Sequence, residues 1–490
     1  MFHIYIACRP ATVADPCDVG RVTIDMLPDV ALLEIFDCYV NQAREQEGNI
    51  QAWHSLVHVC RKWRTIVLGS PRRLDLRLFS KDTTPVKETL AVWPPLPIVI
   101  GQGFPRCWRM DNIIAALEHN DRVCDIRLWD VELEEVLPVM QQPFPALIRL
   151  RMLRDDDGFR WTDEQLETPV VSESFLGGSA PRLQRLTLGL ISFPGLPKLL
   201  LSATGLVKLH LEKIPHSGYI SPEAMVRCLS TLPRLETLKL GFKSPLSRPV
   251  RGPHPPTRSI LLALTSFWFR GVSEYLEDLV ARIDAPQLDS FDVKFFHRLI
   301  FDTPQLVQFV ARTPNTHPPV EAHIIFSYWK VVVIFPRTFP RGFSLGISCR
   351  QSDWQLSSLT QVCSSSFPEG FISTVEHLYI CEGKNLSLRW QDDIEDSQWL
   401  EVLHPFTAVK YLYLSRGFTS SIAPALQELA GEVLPSLQNL LFEDLPQSGP
   451  VREPIEKFAA LRQLASHPIT VSHWDRKLGA YEIYGTDLYT

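Results

Sequence analysis

A serine framed by glycines, Gly342-Phe343-Ser344-Leu345-Gly346, fits the G-x-S-x-G pattern of a nucleophile elbow. That chemistry needs a strand before the serine and a helix after it, so that a strained turn exposes the hydroxyl. Here Ile347-Ser348-Cys349 reads as more strand, and Pro336, Pro340 and Arg341 interrupt the approach. His54 and His58 stand at i and i+4 with Cys60 nearby, but a zinc site would need a matching second pair of ligands, which the sequence lacks. Asp155-Asp156-Asp157-Gly158 lacks the alternating spacing of a calcium loop and reads as a turn. The run Asp392-Asp393-Ile394-Glu395-Asp396 suits a helix start, where carboxylates meet the positive end of the dipole. No phosphate-binding glycine loop is present. Neither catalysis, a cofactor nor a metal is expected.

The elements that could position a binding site are more informative. The chain has 490 residues, too many for one core of ordinary type, so several domains or a repeat array are expected. It is 45% hydrophobic and 21% charged, the composition of a folded protein. With a net charge of −6 and only short basic runs, Arg61-Lys62-Trp63-Arg64 and Arg72-Arg73, no broad cationic face is expected, nor nucleic acid as the main partner. Ten cysteines stand singly without a C-x-x-C pair, the pattern of reduced intracellular thiols. The N-terminus lacks the features of a signal peptide. The longest apolar runs fall well short of the ~20 residues needed to cross a bilayer. A cytoplasmic or nuclear setting, with no membrane partner, is expected.

A motif of one apolar residue, two variable, an apolar, one variable and an apolar recurs along the chain. It appears as Val123/Ile126/Leu128, Leu147/Leu150/Met152, Leu183/Leu186/Leu188, Leu206/Leu209/Leu211 and Leu235/Leu238/Leu240. It continues as Leu264/Phe267/Phe269, Leu288/Phe291/Val293, Val375/Leu378/Ile380, Val409/Leu412/Leu414 and Leu437/Leu440/Phe442. Roughly a dozen such triplets arise by chance, but two features lift these above it. Their spacings include 24, 23, 29, 29, 24, 34 and 28 residues, mostly near a leucine-rich-repeat period. Five carry a proline two residues ahead of the first apolar position: Pro145, Pro181, Pro233, Pro286 and Pro435. Proline stops a preceding helix and favours an extended neighbour, so a strand can begin. Ser221 and Pro222 then read as the N-cap and first turn of a returning helix.

The fold class expected is therefore α/β: an irregular leucine-rich-repeat solenoid over residues 111–448, with degenerate repeats between 301 and 373 and a C-terminal cap over 449–490. Such an array presents a face of strands to a macromolecule, and the leucines themselves are scaffold. The segment Ser247–Thr257, dense in proline, reads as an exposed loop.

Ahead of the array, residues from Pro28 have helical periodicity, with Leu32, Ile35, Phe36, Tyr39 and Val40 on one side. A second helix is expected from about Trp53 to Leu68, aligning Leu56, Cys60, Trp63 and Val67, and ending at Gly69-Ser70-Pro71. On pattern alone, these helices either cap the solenoid or form a docking module.

Met26-Leu27-Pro28-Asp29, then Leu33-Glu34-Ile35-Phe36, then Val59-Cys60-Arg61-Lys62-Trp63-Arg64 resembles the F-box, whose three elements occur in this order. With Trp354-Gln355-Leu356-Ser357-Ser358-Leu359 and Thr374-Val375-Glu376-His377-Leu378, the chain is similar to the large F-box families of mushroom-forming fungi. The resemblance implies a small all-helical F-box over 23–72, after an extension over 1–22 and before a connector over 73–110. It implies a non-catalytic substrate receptor of an SCF-type ubiquitin ligase. The F-box would hold a Skp-type adaptor, and the solenoid an unknown protein target. Leu27, Pro28, Leu32, Leu33, Ile35, Phe36, Val59, Cys60 and Trp63 are then candidates for the adaptor contact or for the packing beneath it. The stretch Asn41–Ala52 makes the loop between the two signature halves longer than usual. The alternative is a leucine-rich-repeat scaffold independent of ubiquitination.

Overall fold

The computed structural model describes residues 24–47, 52–80, 85–101, 110–129, 133–154, 168–245, 257–298, 301–349, 352–383, 396–428, 433–443 and 452–475. The chain divides into two compact units, Met1–Val99 and Ile100–Thr490.

The first unit opens with three helices: α1 (Asp29–Glu47), α2 (Trp53–Val57) and α3 (Arg61–Gly69). Two expectations need correction. Asn41 to Glu47 continue α1 and are not a loop, so the lengthened stretch is largely helix. The single helix expected from Trp53 to Leu68 is broken at Cys60, which takes extended backbone (φ −154°, ψ 173°). Its Sγ accepts the Trp63 N–H at 3.5 Å, satisfying one of the donors left free at the start of α3. Leu32, Leu33, Phe36, Trp53, Trp63 and Val67 share one apolar cluster with Leu74, Leu76, Leu78 and Leu96. The packing thus continues past residue 72 into the segment expected to be a connector.

In the second unit, each recurring triplet does what its spacing requires. All its apolar positions are buried, the last two on a strand and the first in the turn or strand residue leading into it. Fourteen strands follow, labelled β1 (Val123–Trp129), β2 (Arg149–Leu153), β3 (Arg185–Gly189), β4 (Lys208–Ile214), β5 (Thr237–Phe242), β6 (Ser266–Gly271) and β7 (Ser290–Phe296). Next come β8 (Glu321–Ser327), β9 (Lys330–Phe335), β10 (Phe343–Ser348), β11 (His377–Glu382), β12 (Tyr411–Leu414), β13 (Asn439–Phe442) and β14 (Thr470–His473). Their order in the sheet is β1-β2-β3-β4-β5-β6-β7-β10-β9-β8-β11-β12-β13-β14, with every pairing parallel except those of β9.

The prolines act more specifically than by ending helices. Leu147 N–H donates to Phe144 O, Leu183 to Ala180 O, Leu235 to Leu232 O, Leu288 to Ala285 O and Leu437 to Leu434 O. Each is a turn closed from its fourth residue to its first, and Pro145, Pro181, Pro233, Pro286 and Pro435 occupy its second position, which their fixed φ suits. Helices return between strands as expected. Pro222–Leu229 starts with Ser221 Oγ accepting the Ala224 N–H at 3.2 Å. Neighbouring units also cap one another: the Glu277 carboxylate accepts N–H groups of Gln305 and Leu306 at 2.9 and 2.7 Å, at the start of helix Pro304–Arg312.

Between residues 301 and 373 there are no degenerate repeats of the expected kind. The chain leaves β7, places β8 three positions further along, then turns back through β9 to bring β10 beside β7. Ser327 and Lys330 face each other at a tight turn whose tip is Tyr328-Trp329, and Ser327 Oγ donates to Lys330 O at 3.0 Å. A hairpin needs no returning helix, so the triplet spacing fails there. Towards the C-terminus, helix Arg452–Leu464 precedes β14, and buried Arg462 donates to the carbonyls of Pro435 and Leu437 at 3.2 and 3.1 Å.

The loop expected at Ser247–Thr257 and the acidic turn Asp155–Gly158 lie outside the described residues, Thr257 apart, as does the run Asp392–Asp396 up to Asp396 itself. No described helix is long and apolar enough to cross a membrane.

Candidate functional site

The nine residues singled out near the N-terminus separate into two sets. Leu32, Leu33, Phe36 and Trp63 are buried, and the Phe36 and Trp63 rings pack 4.7 Å apart. Leu27 and Cys60 are half-buried against the same cluster. These six are internal packing. Pro28 is exposed, while Ile35 and Val59 are 46% and 47% exposed and remain open to a partner. Periodicity alone placed Ile35 and Tyr39 on the packed side; they lie at its flank, and Tyr39 is 42% exposed. Met26 and Val30 are also open, at 68% and 69%. Lys62 ties the start of α1 to α3, donating to Leu27 O at 3.0 Å and lying 3.6 Å from Asp29. Arg73 and Glu34 form an ion pair at the surface.

The chemical candidates sit on regular elements and in ring contacts. Ser344 sits inside β10, hydrogen-bonded to β7 on one side and β9 on the other, with strand continuing to Ser348. That is not an elbow. His54 stacks on Trp93 at 4.8 Å. No three His, Cys, Asp or Glu side chains among the described residues are grouped to hold a metal ion.

In the solenoid, the residues between the buried positions of each triplet form the strand face. One line of paired residues crosses it: Arg127, Arg151, Thr187, His210, Lys239, Trp268, Asp292, Ser344, Ile334, His323, Tyr379, Tyr413, Leu441 and Ser472. Its two ends differ in character. From β1 to β7, with the adjoining β10 and β9, the face carries Arg127, Arg149, Arg151, Arg185, Lys208, Lys239, Arg270, Lys294 and Lys330 against Asp125, Glu212 and Asp292. The expectation that no broad cationic face exists is therefore overturned. These cations are about 25 residues apart in sequence, and only strand pairing brings them within about 5 Å backbone spacing.

Electrostatic strain accompanies this crowding. Burial, helped by Lys239, Lys208 and Arg151, depresses the His210 pKa to about 4, so its ring is neutral at pH 7, and its Nε2 has no hydrogen-bond partner among the described residues. Burial, with Lys330 and Arg270 beside it, lowers Lys294 to about 7. Burial also raises Asp292, against the Ser344 hydroxyl that donates to it and the nearby lysines. Asp125 is fully buried and holds Arg127 and Arg149 at 2.8 and 2.7 Å.

On β8, β11 and β12 the face carries stacked rings. His323 stacks on Tyr379 at 4.4 Å, Tyr379 on Tyr413 at 4.1 Å and His377 on Tyr411 at 4.5 Å. Trp474 stands edge-on to Tyr413 at 5.4 Å. Sequence reasoning missed both halves, although the signal was present: the variable residue within each Leu-x-Leu pair is the one that faces outward.

No protein-family model matches the chain, and none of the curated proteins matches it. Among solved structures, the leucine-rich repeat-containing protein LegL7 from Legionella pneumophila aligns over 78% of this chain and 97% of its own length. The identity is 11% and the TM-score 0.27. A likeness of that size carries no argument by itself. The chain's own strand order, triplets and returning helices define a mixed α/β protein with a leucine-rich-repeat-like solenoid.

Proposed function

We propose that this chain is a non-catalytic substrate receptor of an SCF-type ubiquitin ligase. Its N-terminal helices dock a Skp-type adaptor, and its strand face holds a protein target, in the cytoplasm or nucleus. One observation carries the reading. The helical unit closes its own apolar core and still leaves Met26, Val30, Ile35, Tyr39 and Val59 open within the segment that resembles an F-box. Apolar side chains left open close together in sequence fit an interface anchor better than an ordinary surface. The mixed cationic and aromatic face fits a protein better than nucleic acid, because no more than half of it is basic. Holding both partners on one chain would raise the target's effective concentration near the ubiquitin-carrying enzyme.

Co-purification with a Skp-type adaptor tests this. Ile35→Asp combined with Val59→Asp is expected to abolish the complex while leaving the circular dichroism spectrum unchanged, since both side chains are outside the core. An adaptor that ignores the wild-type chain, or binds the double variant equally, refutes the ligase role and leaves a leucine-rich-repeat scaffold as the reading.

A further inference from the structure

The cationic half of the strand face contains one place built differently from the rest. Arg270 on β6 pairs in register with Lys294 on β7, and Lys294 with Gly346 on β10. One step along, Phe296 pairs with Ser348, and Ser348 with Lys330 on β9. Alternation along each strand puts all six on the outward face. Lys294 and Lys330 thus stand on strands about 10 Å apart and two residues out of register, with Gly346 beside Lys294 and Ser348 beside Lys330 on the strand between them. A Cβ built at Gly346 would come within 3.1 Å of Val332 Cγ2, so the Val332 side chain lies against this glycine.

Two polar groups in this cluster lack partners among the described residues. Arg270 Nε and Ser348 Oγ are both buried without a hydrogen bond. Leaving such groups unsatisfied is costly, and a buried cationic donor more so. Arg270 is held in place by its stack over the Phe296 ring at 5.4 Å. Two lysines and an arginine converge, with Asp292 the acidic group that acts on both lysines, and its carboxylate is already engaged by Ser344.

We propose that Arg270, Lys294, Lys330 and Ser348 form a binding site for a phosphate monoester. Three cationic donors and a hydroxyl on adjoining strands match the three acceptor oxygens and near-double charge of that group. A carboxylate offers two oxygens and one charge. Burial and mutual repulsion hold Lys294 half-deprotonated near pH 7, and a dianion would restore its proton. The site stands independently of the adaptor reading, because phosphate binding requires no ligase.

Calorimetric titration of the full chain with inorganic phosphate, O-phosphoserine and a phosphoserine peptide, at matched ionic strength, is the test. Phosphate-containing ligands are expected to bind, with net proton uptake at pH 8, while a peptide with glutamate at the same position binds at least about tenfold more weakly. A phosphopeptide that binds more tightly than free phosphate identifies a phosphorylated side chain as the source; equal affinity identifies a free phosphate compound. Lys294→Gln with Lys330→Gln should lose at least about tenfold in affinity while being no less stable, because it relieves repulsion. Heat signals indistinguishable from chloride, or full affinity in the double lysine variant, overturn the site. Failure of the adaptor pull-down leaves this result untouched, and the reverse also holds.

Discussion

The two halves of the strand face stand on the same backbone plan and differ in what fills the outward position. In β1 to β7 the outward positions include Arg127, Arg149, Arg151, Arg185, Lys208, Lys239, Arg270 and Lys294; in β8, β11 and β12 they include His323, His377, Tyr379, Tyr411 and Tyr413. The cationic half buries like charges together: burial first, and neighbouring cations second, depress the pKa values of His210 and Lys294. The aromatic half is self-cohesive, because offset rings at these separations attract one another. The change of character falls at the β8-β9-β10 hairpin, where the strand order also reverses. One half therefore stores binding capacity for anions at a cost in stability, and the other stabilises itself.

The largest expected effect tests whether the halves are mechanically joined. Phe291 lies in the core between Phe267 and Phe343, with ring separations of 5.4 and 5.3 Å, beside the junction. Phe291→Ala should cost about 3–5 kcal/mol in urea unfolding. A loss below about 1 kcal/mol would mean the junction does not transmit packing.

Next comes a paired comparison in salt. Asp125→Ala leaves Arg127 and Arg149 facing each other and should cost about 2–3 kcal/mol at low ionic strength, less than for a fully buried pair because both arginines reach water. Part of that cost should vanish in 1 M salt, where the Debye length falls to about 3 Å. Tyr379→Ala removes two ring stacks and should cost about 1–2 kcal/mol with no such salt dependence. Identical salt responses would dissolve the distinction between the halves.

The smallest effect is in pH. Lys294 has a folded pKa of about 7 against an ordinary 10.5, so between these values the unfolded chain binds more protons and stability rises with pH. Lys330 and Arg270 oppose its charge and Asp292 favours it. Lys294→Met should flatten the rise of the denaturation midpoint between pH 7 and 10. In the aromatic half, the hydrogen bond from His323 holds Glu321 below the usual carboxylate value. Its contribution is present above that value and is lost only as pH falls through the lower folded pKa. An unchanged slope in the Lys294 variant would remove the lysine from this account.

Much of this was legible from local pattern. All ten triplets fall where their spacing put them, and Ser221-Pro222 begins a helix as its residue types require. The break at Cys60 was not legible, because the apolar stripe through Leu56, Cys60, Trp63 and Val67 fits an unbroken helix equally well; the Sγ cap and the Arg64 side chain bonding Val57 O decide it. The hairpin at β8 and β9 was hidden because its strands carry apolar residues on both faces, such as Val331 to Phe335, and so show no period.

The sequence alone determined which residues are buried in the solenoid and where each turn closes, since a Leu-x-Leu alternation and a proline two residues ahead act within a few bonds. Tertiary structure alone decided what faces outward together. Arg270, Lys294, Lys330 and Ser348 become neighbours through strand pairing that no local spacing encodes. The Gly342–Gly346 segment, first read for a serine nucleophile, instead runs into β10 between the strands that carry Lys294 and Lys330. Pairing register, set by the packing of the core beneath, turns side chains far apart in the chain into one surface.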